Sequence, residues 1–374
     1  MTSKLYVGIV GCGLIGTKRA RVIAEDPSCI LCCTADKDIH KATALIEEYA
    51  DRDGKAYLDW LDMLEKEKPD ILIASTPNKY LKEIALQAAK RKVHILCEKP
   101  LGRNVQESKV IVATAREGGV ILKTGFNHRY HPAIFKARKL AAEGAIGKLY
   151  YAKCTYGHGG RPGYQKEWRA DRDLCGGGEL LDQGVHVVDL FRWVFGDFQE
   201  AFGSISTYHW DMDVEDNAFA LFKTGKGQTA SMHTTWTQWK NRFTFEVFGE
   251  AGYLIVDGLG SSYGTETLKI GKRKLVNGYS LLAHSLENLP NLPNQQITNN
   301  VLPHYGGGAP DEEVIEFSGP DVSWNEEWKE FTAAIREKRE PLGNGQDGLE
   351  ANRMIEAVYR SAQENRPVKI MEIE

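Results

Sequence analysis

The sequence predicts an α/β protein: a Rossmann-type doubly wound parallel sheet at the N-terminal side, followed by an α+β domain with a large, mostly antiparallel open sheet. From residue 4 to about 125, short runs rich in Val, Ile and Leu alternate with longer segments of helical spacing. Strands apolar on both faces and separated by helices belong to a parallel sheet covered on both sides. Beyond about residue 148, strand-like runs follow one another without intervening helices, which signals antiparallel pairing. The 374 residues favour two domains at about 100–200 residues each. The predicted division is 1–126 and 127–374, with the C-terminal helices free to pack back on the first domain.

In the first half the predicted strands are LYVGIV (5–10), CILCCTA (29–35), DILIAST (70–76), VHILCE (93–98) and VILKTGF (120–126). Helical spacing fills 14–25, 38–50, 79–90 and 104–117 between them. The second half opens with a loop containing Gly and Arg (157–175) and an apolar helix (179–195). Strands are predicted at 201–208, 216–223, 228–236, 243–248 and 252–256. Residues 272–322 have no clear period and read as long loops, and amphipathic helices near 324–337 and 347–364 close the chain.

Apolar residues at 42% and charged residues at 26% describe an ordinary globular protein able to bury a core. With 47 Lys+Arg against 51 Asp+Glu, the net charge of -4 offers no basic excess for nucleic acid or an anionic membrane. No window approaches the ~18 consecutive apolar residues of a membrane helix, and the N-terminus enters a strand pattern with no signal peptide ahead of it. A cytoplasmic location is therefore expected. The seven cysteines are odd in number and mostly embedded in apolar runs, as reduced thiols are. Among them Cys32 and Cys33 fall on opposite faces of a regular strand, so no metal site is expected.

Gly11-Cys12-Gly13-Leu14-Ile15-Gly16 reads G-x-G-x-x-G where the first strand meets the first helix. Gly11 suits the tight turn, Gly13 admits a pyrophosphate to the backbone, and Gly16 lets helix and strand approach. Helix N-terminal amides then face the phosphates. Asp36, 20 positions beyond Gly16, ends the second strand, where a carboxylate accepts hydrogen bonds from the adenosine ribose. Its charge opposes a 2′-phosphate, although Lys37 and His40 offset part of that repulsion. The expected cofactor is NAD, with NADP the less favoured choice.

Three further segments carry a resemblance. Ser75-Thr76-Pro77-Asn78, Glu98-Lys99-Pro100 and Gly176 to His186 (GGGELLDQGVH) resemble the Gfo/Idh/MocA family of glucose-fructose oxidoreductase, inositol dehydrogenase and rhizopine catabolism proteins. Asn127-His128-Arg129-Tyr130-His131-Pro132 and the terminal DGLEANRMIEAVYRSAQE helix extend the likeness over nearly the whole chain. The resemblance implies an NAD(P)-dependent dehydrogenase acting on CH-OH groups of a sugar, cyclitol or sugar derivative. It also implies that Ser75, Thr76, Pro77, Asn78, Glu98, Lys99, Asn127, Trp168 and Arg169 border the cofactor, and that Arg129 belongs to the substrate side. Many relatives carry a His shortly after the Thr-Pro-Asn turn. Here the stretch continues Lys79-Tyr80-Leu81, leaving the nicotinamide contact to backbone, Asn78 or Leu81.

The chemistry of these residues points the same way. Lys99 ends a strand where an open parallel sheet places its ligands, and an ammonium there stabilises a developing alkoxide. Asp182 and His186, four apart in an apolar helix, share one face. Standing alone, that helix reads as a core histidine paired with Asp182 or Asp189. Beside the upstream motifs, His186 is the expected base for the hydroxyl proton and Asp182 its orienter or a second substrate contact. Tyr156, His158, Arg161 and Tyr164 are expected to reach substrate from the following loop. Its four basic and three acidic side chains between 161 and 173 leave room for a uronate or nucleotide-linked sugar, since Arg binds such anions bidentately. A glycosidase using transient oxidation, reduction of an imine or enone, and a non-catalytic dinucleotide sensor are the rival readings. The outer face of the second sheet needs cover, so a homodimer or homotetramer is expected.

Overall fold

A computed structural model describes residues 3–50, 53–273 and 310–374. Strands β1 (Leu5–Val10), β2 (Cys29–Ala35), β3 (Lys55–Tyr57), β4 (Ile71–Ala74), β5 (His94–Cys97) and β6 (Leu122–Thr124) pair in parallel in the order β3-β2-β1-β4-β5-β6. Successive residues of one strand enter different cores. Val7, Ile9, Ile71 and Ile73 pack on one side of the sheet, and Val10, Leu72 and Ala74 on the other. That division is the pattern expected of a sheet buried on both faces. Helices Leu14–Ala24, Ile39–Tyr49, Asn78–Lys90 and Val105–Gly118 occupy the predicted segments, and Trp60–Glu67 adds one that was not predicted. One local expectation fails: Cys32 and Cys33 do not diverge. The β1–β2 register shifts opposite Val7 and Gly8, and this bulge brings the two Sγ atoms to 3.6 Å. All seven cysteines are free.

The second sheet contains, among the described residues, β7 (Leu149–Gly157), β8 (Phe198–Ser206), β9 (Asn217–Thr224), β10 (Thr229–Thr235), β11 (Arg242–Gly249), β12 (Gly252–Asp257), β13 (Glu266–Lys272), β14 (Asp311–Phe317) and β15 (Val368–Lys369). Their order is β14-β13-β12-β11-β7-β10-β9-β8-β15, antiparallel throughout except where β10 runs parallel to β7. The expectation of loops across 272–322 is corrected at 311–317, where a largely exposed acidic run pairs with β13 at the sheet edge. The rest of that expectation, from 274 to 309 with Gly306, Gly307 and Gly308, lies outside the described residues. The predicted helix 179–195 is two helices, Glu179–Asp182 and Gly184–Phe195, parted at Gln183.

Helix Ser323–Glu337 returns to the first domain. Trp328, Phe331 and Ile335 share a core with Val7, Ile9, Ile71 and Ile73. Arg19, 1% exposed, donates from Nη1 to Glu327 at 2.6 Å and from Nε and Nη2 to Glu98 Oε1 at 2.8 and 2.6 Å. This buried cluster ties the first helix, the end of β5 and the returning helix together, and a buried pair of this kind is costly to break. Helix Gly345–Glu364 lies between the two sheets, with Asn352 Nδ2 donating to Ser108 Oγ at 2.7 Å. The opposite face of the second sheet carries exposed Phe202, Phe219 and Leu221 and two stacked pairs, Tyr151 with Phe248 at 4.7 Å and Phe219 with His233 at 4.0 Å. Among the described residues no helix is long and apolar enough to cross a membrane.

Candidate active site

The parallel ladder sets the site. Gly11 N–H donates to Ala35 O at 2.9 Å, Ser75 N–H to Val10 O at 2.8 Å, and Glu98 N–H to Ala74 O at 2.9 Å. These bonds align the carboxyl ends of β1, β2, β4 and β5, and β1 and β4 are the neighbours at which connections turn to opposite sides. An open α/β sheet collects its ligands at that position. A cavity of about 930 Å³ opens there and extends to the second domain.

The glycine loop fits a dinucleotide. Gly11 has φ +94°, and a Cβ there would meet Ser75 O at 2.6 Å, so only glycine is tolerated. A Cβ on Gly13 would meet nothing within 4 Å and would fill the cavity itself, where a pyrophosphate has to approach. Gly16 does not line the cavity; a Cβ there would sit 2.1 Å from Gly11 O, so its part is close packing of helix on loop. Asp36 lines the cavity with both oxygens anchored: Oδ2 accepts Cys12 N–H at 2.7 Å and Oδ1 accepts Asp38 N–H at 2.9 Å. Leu14, Ile15, Lys37, Ser75, Thr76, Pro77 and Asn78 complete this arm. Asn78 is anchored by donation to Cys175 O at 2.7 Å, whereas Leu81 is fully buried in the core, so Tyr80 rather than Leu81 borders the cavity from that helix.

Where the two domains meet, Lys99 Nζ donates to Asp182 Oδ1 at 2.7 Å and to Asp182 O at 2.6 Å. Arg169 Nε donates to Asp182 Oδ2 at 3.1 Å. Burial pushes the Asp182 carboxyl up, but Lys99 and Arg169 outweigh it and hold the group below the ordinary carboxylate range. His186 is 4% exposed, and its Nδ1 has no partner among the described residues. Burial first, then the charges of Lys99 and His131, keep its imidazole well below its ordinary value and therefore neutral. Neither Asp182 nor Asp189 satisfies it, as a purely structural histidine would require.

The His186 ring stacks on His128, centroids 3.7 Å apart at 15°. His128 Nδ1 lies 3.2 Å from Asn127 Oδ1, which can only accept, so the proton sits on Nδ1 and Nε2 accepts from Tyr156 at 3.1 Å. Tyr156, His158, Arg161, Tyr164 and Trp168 all border the cavity, and the Arg169 guanidinium lies 4.6 Å over the Trp168 ring.

Two expected residues behave differently. Arg129 is 2% exposed and does not reach the cavity, because Asp189 binds its Nε at 2.7 Å and Nη2 at 2.5 Å while Asp347 sits 3.2 Å from Nη1. Its assignment to substrate is corrected to a buried tie between helices. Glu98 borders the cavity, but its Oε1 is committed to Arg19. Conversely His128, Gln183 and Tyr263 line the cavity without having been expected to. Position inside the Asn127–Pro132 motif was a signal for His128; Tyr263 follows a turn with no motif and gave none. A second cavity of about 640 Å³, beside Arg103 and Tyr359, contains none of the expected residues.

Residues 5–126 match the oxidoreductase family NAD-binding Rossmann fold, and residues 134–255 match the GFO/IDH/MocA C-terminal domain. The levoglucosan dehydrogenase of Pseudarthrobacter phenanthrenivorans is 28% identical over 284 residues, 67% of this chain and 73% of that protein. The myo-inositol 2-dehydrogenase of Thermotoga maritima is 26% identical over 378 residues and 99% of each chain. A solved structure of levoglucosan dehydrogenase with NADH and L-sorbose superposes with a TM-score of 0.84 at 21% identity, covering 99% of each chain, and shares the fold.

Proposed function

The chain belongs to the Gfo/Idh/MocA family of NAD-binding oxidoreductases, and from that premise we propose that it oxidises a secondary hydroxyl of a sugar, cyclitol or sugar derivative, or reduces the corresponding ketone. It is a dehydrogenase acting on CH-OH groups with a nicotinamide cofactor. The observation that carries the finer reading is one cavity holding the glycine loop, the Lys99–Asp182–Arg169 cluster and a neutral His186. Residues 1–126 hold the dinucleotide, and 127–374 supply substrate contacts and self-association. The seven free thiols fit a cytoplasmic setting.

A bound nicotinamide supplies the hydride acceptor or donor. The rest of the chemistry falls to side chains. An ammonium has three hydrogens, and Lys99 spends two directions on Asp182, leaving the third for the reacting oxygen. Asp182 is held on both sides and so fixes Lys99 in place. Neutral His186 takes the hydroxyl proton and returns it in reduction.

The loop arginines favour an uncharged substrate over a uronate or nucleotide-linked sugar. Arg161 is paired with Glu167 at 2.7 Å, Arg169 with Asp182, and Arg172 with Asp213 O at 2.7 Å. The test is a panel of free sugars, inositols, uronates and nucleotide sugars with NAD, followed by reduced-nicotinamide absorbance. Turnover of uncharged polyols is expected, and an exclusive preference for anionic forms would overturn the choice. Product sugar without NADH would instead support cleavage by transient oxidation.

Anchored Asp36 supports NAD over NADP. Asp36→Ser is expected to narrow that preference by about tenfold or more, since it removes one close like-charge repulsion. An unchanged ratio of kcat/KM for the two cofactors would contradict the role. The exposed aromatic face of the second sheet supports a homodimer or homotetramer, because a patch of this kind seeks cover. Light scattering at micromolar concentration should report an oligomer, and Leu221→Lys should reduce its mass.

A further inference from the structure

Glu179 opens the helical turn that ends at Asp182, and its carbonyl accepts the Gln183 N–H at 2.9 Å. It is 0% exposed, and neither carboxylate oxygen has a hydrogen-bond partner among the described residues. The Thr235 main chain approaches it without completing a bond. Two more buried groups at the end of β10 and just beyond it, Thr234 Oγ1 and Trp236 Nε1, likewise have no hydrogen-bond partner among the described residues. A Cβ on Gly184 would lie 3.5 Å from Thr234 Oγ1, which places that hydroxyl against the same helical segment.

The charged and titratable groups facing Glu179 are Asp182 on its own turn, Lys99 from the end of β5, Glu215 ahead of β9, and the phenols of Tyr156, Tyr164 and Tyr263. Among the described residues the main cation acting on Glu179 is Lys99, and it is engaged by Asp182. Glu215 is itself bound by Leu180 N–H at 3.1 Å and Tyr359 OH at 2.7 Å. A buried, unpaired carboxylate beside two other acids is a costly arrangement, and protonation removes most of that cost. Two carboxyls three residues apart thus sit in opposite settings: Asp182 is doubly paired and Glu179 has no cation to itself.

We propose that Glu179 is carried as a neutral acid, and that this neutrality leaves Lys99, Arg169 and Arg161 outnumbering Asp182 and Glu167, so that a surplus positive charge faces the reacting oxygen. Ionising Glu179 cancels that surplus and slows the reaction. Glu179 is thus a positioning residue for charge, with no contact to substrate. Burial, reinforced by Asp182, pushes its carboxyl well above the ordinary range, in agreement with the geometry.

The state of Glu179 is tested on the full-length protein without substrate, by thermal midpoints of wild type, Glu179→Gln and Glu179→Met between about pH 5 and pH 8. A carboxyl whose folded value is raised stabilises below its unfolded value, and that contribution is lost as pH rises through the folded one. Wild type is therefore expected to lose ground to both neutral variants as pH increases. A difference that stays constant with pH, in whichever variant folds, overturns the neutral acid. The catalytic consequence rests on the dehydrogenase reading. With the polyol turned over best, Glu179→Gln is expected to move the alkaline limb of kcat/KM upward by about one pH unit or more. An unmoved limb overturns the charge role. If no polyol is turned over, the dehydrogenase reading fails while the thermal result still decides the state of Glu179.

Discussion

Replacing Lys99 by Ala is expected to lower kcat by about 10²–10³-fold, the loss typical of one preorganised donor to a developing oxyanion. Affinity for NADH, followed by fluorescence titration, should stay within about threefold, because the proposed ribose and pyrophosphate contacts lie on the glycine loop and Asp36, apart from Lys99. The substitution also removes one of the two cations on Asp182, so part of the loss passes through that carboxylate. Lys99→Ala combined with Asp182→Asn should therefore cost much less than the product of the single effects, as groups acting as a unit do. Turnover within about threefold of wild type would remove Lys99 from the chemistry.

His186→Ala carries the second large effect, about 10²–10⁴-fold in kcat, the range for a positioned proton acceptor. Its pH signature is more specific than its size. Because the folded imidazole is held below its ordinary value of about 6.5, the acid limb of kcat/KM should lie below that value. Stability follows the same sign. A histidine with a depressed folded value contributes its stability above the unfolded value and loses it as pH falls through that range. His128, stacked on His186 and also held low, first by burial and then by the repulsion two protonated rings would meet there, adds to the same acid sensitivity. An acid limb above about pH 6.5 would exclude His186 as the base.

The parallel sheet was legible because both of its faces are buried, which writes continuous apolar runs into the sequence. The glycine loop was equally plain, since its three glycines answer separate backbone demands. β7 was missed although it lies at the centre of its sheet: LYYAKCTYG interleaves exposed Tyr151 and Lys153 with buried Ala152 and Cys154, and its paired tyrosines obscure the alternation. The break at Gln183 was hidden because apolar spacing continues across it. Arg129 was misread for a different reason. Its fate is decided by Asp189 and Asp347, 60 and 218 positions away, and nothing local distinguishes a buried guanidinium from one bound for substrate. Glu179 escaped notice for the same reason, since only the packing shows that no cation is left for it.

The returning helix Ser323–Glu337 fixes when the N-terminal half can be complete. Arg19 and Glu327 are separated by 308 positions, and Trp328 closes over a core begun at Val7. During synthesis the first domain therefore exposes that apolar surface, and the buried Arg19 and Glu98, until the far end of the chain emerges. Long-range closures of this kind slow folding and prolong the interval in which incomplete chains associate. A fragment ending near residue 126 would lack the same cover permanently. The two halves thus share a core through this helix, and a cofactor bound at the glycine loop, as proposed, should stabilise the distant helix along with the loop.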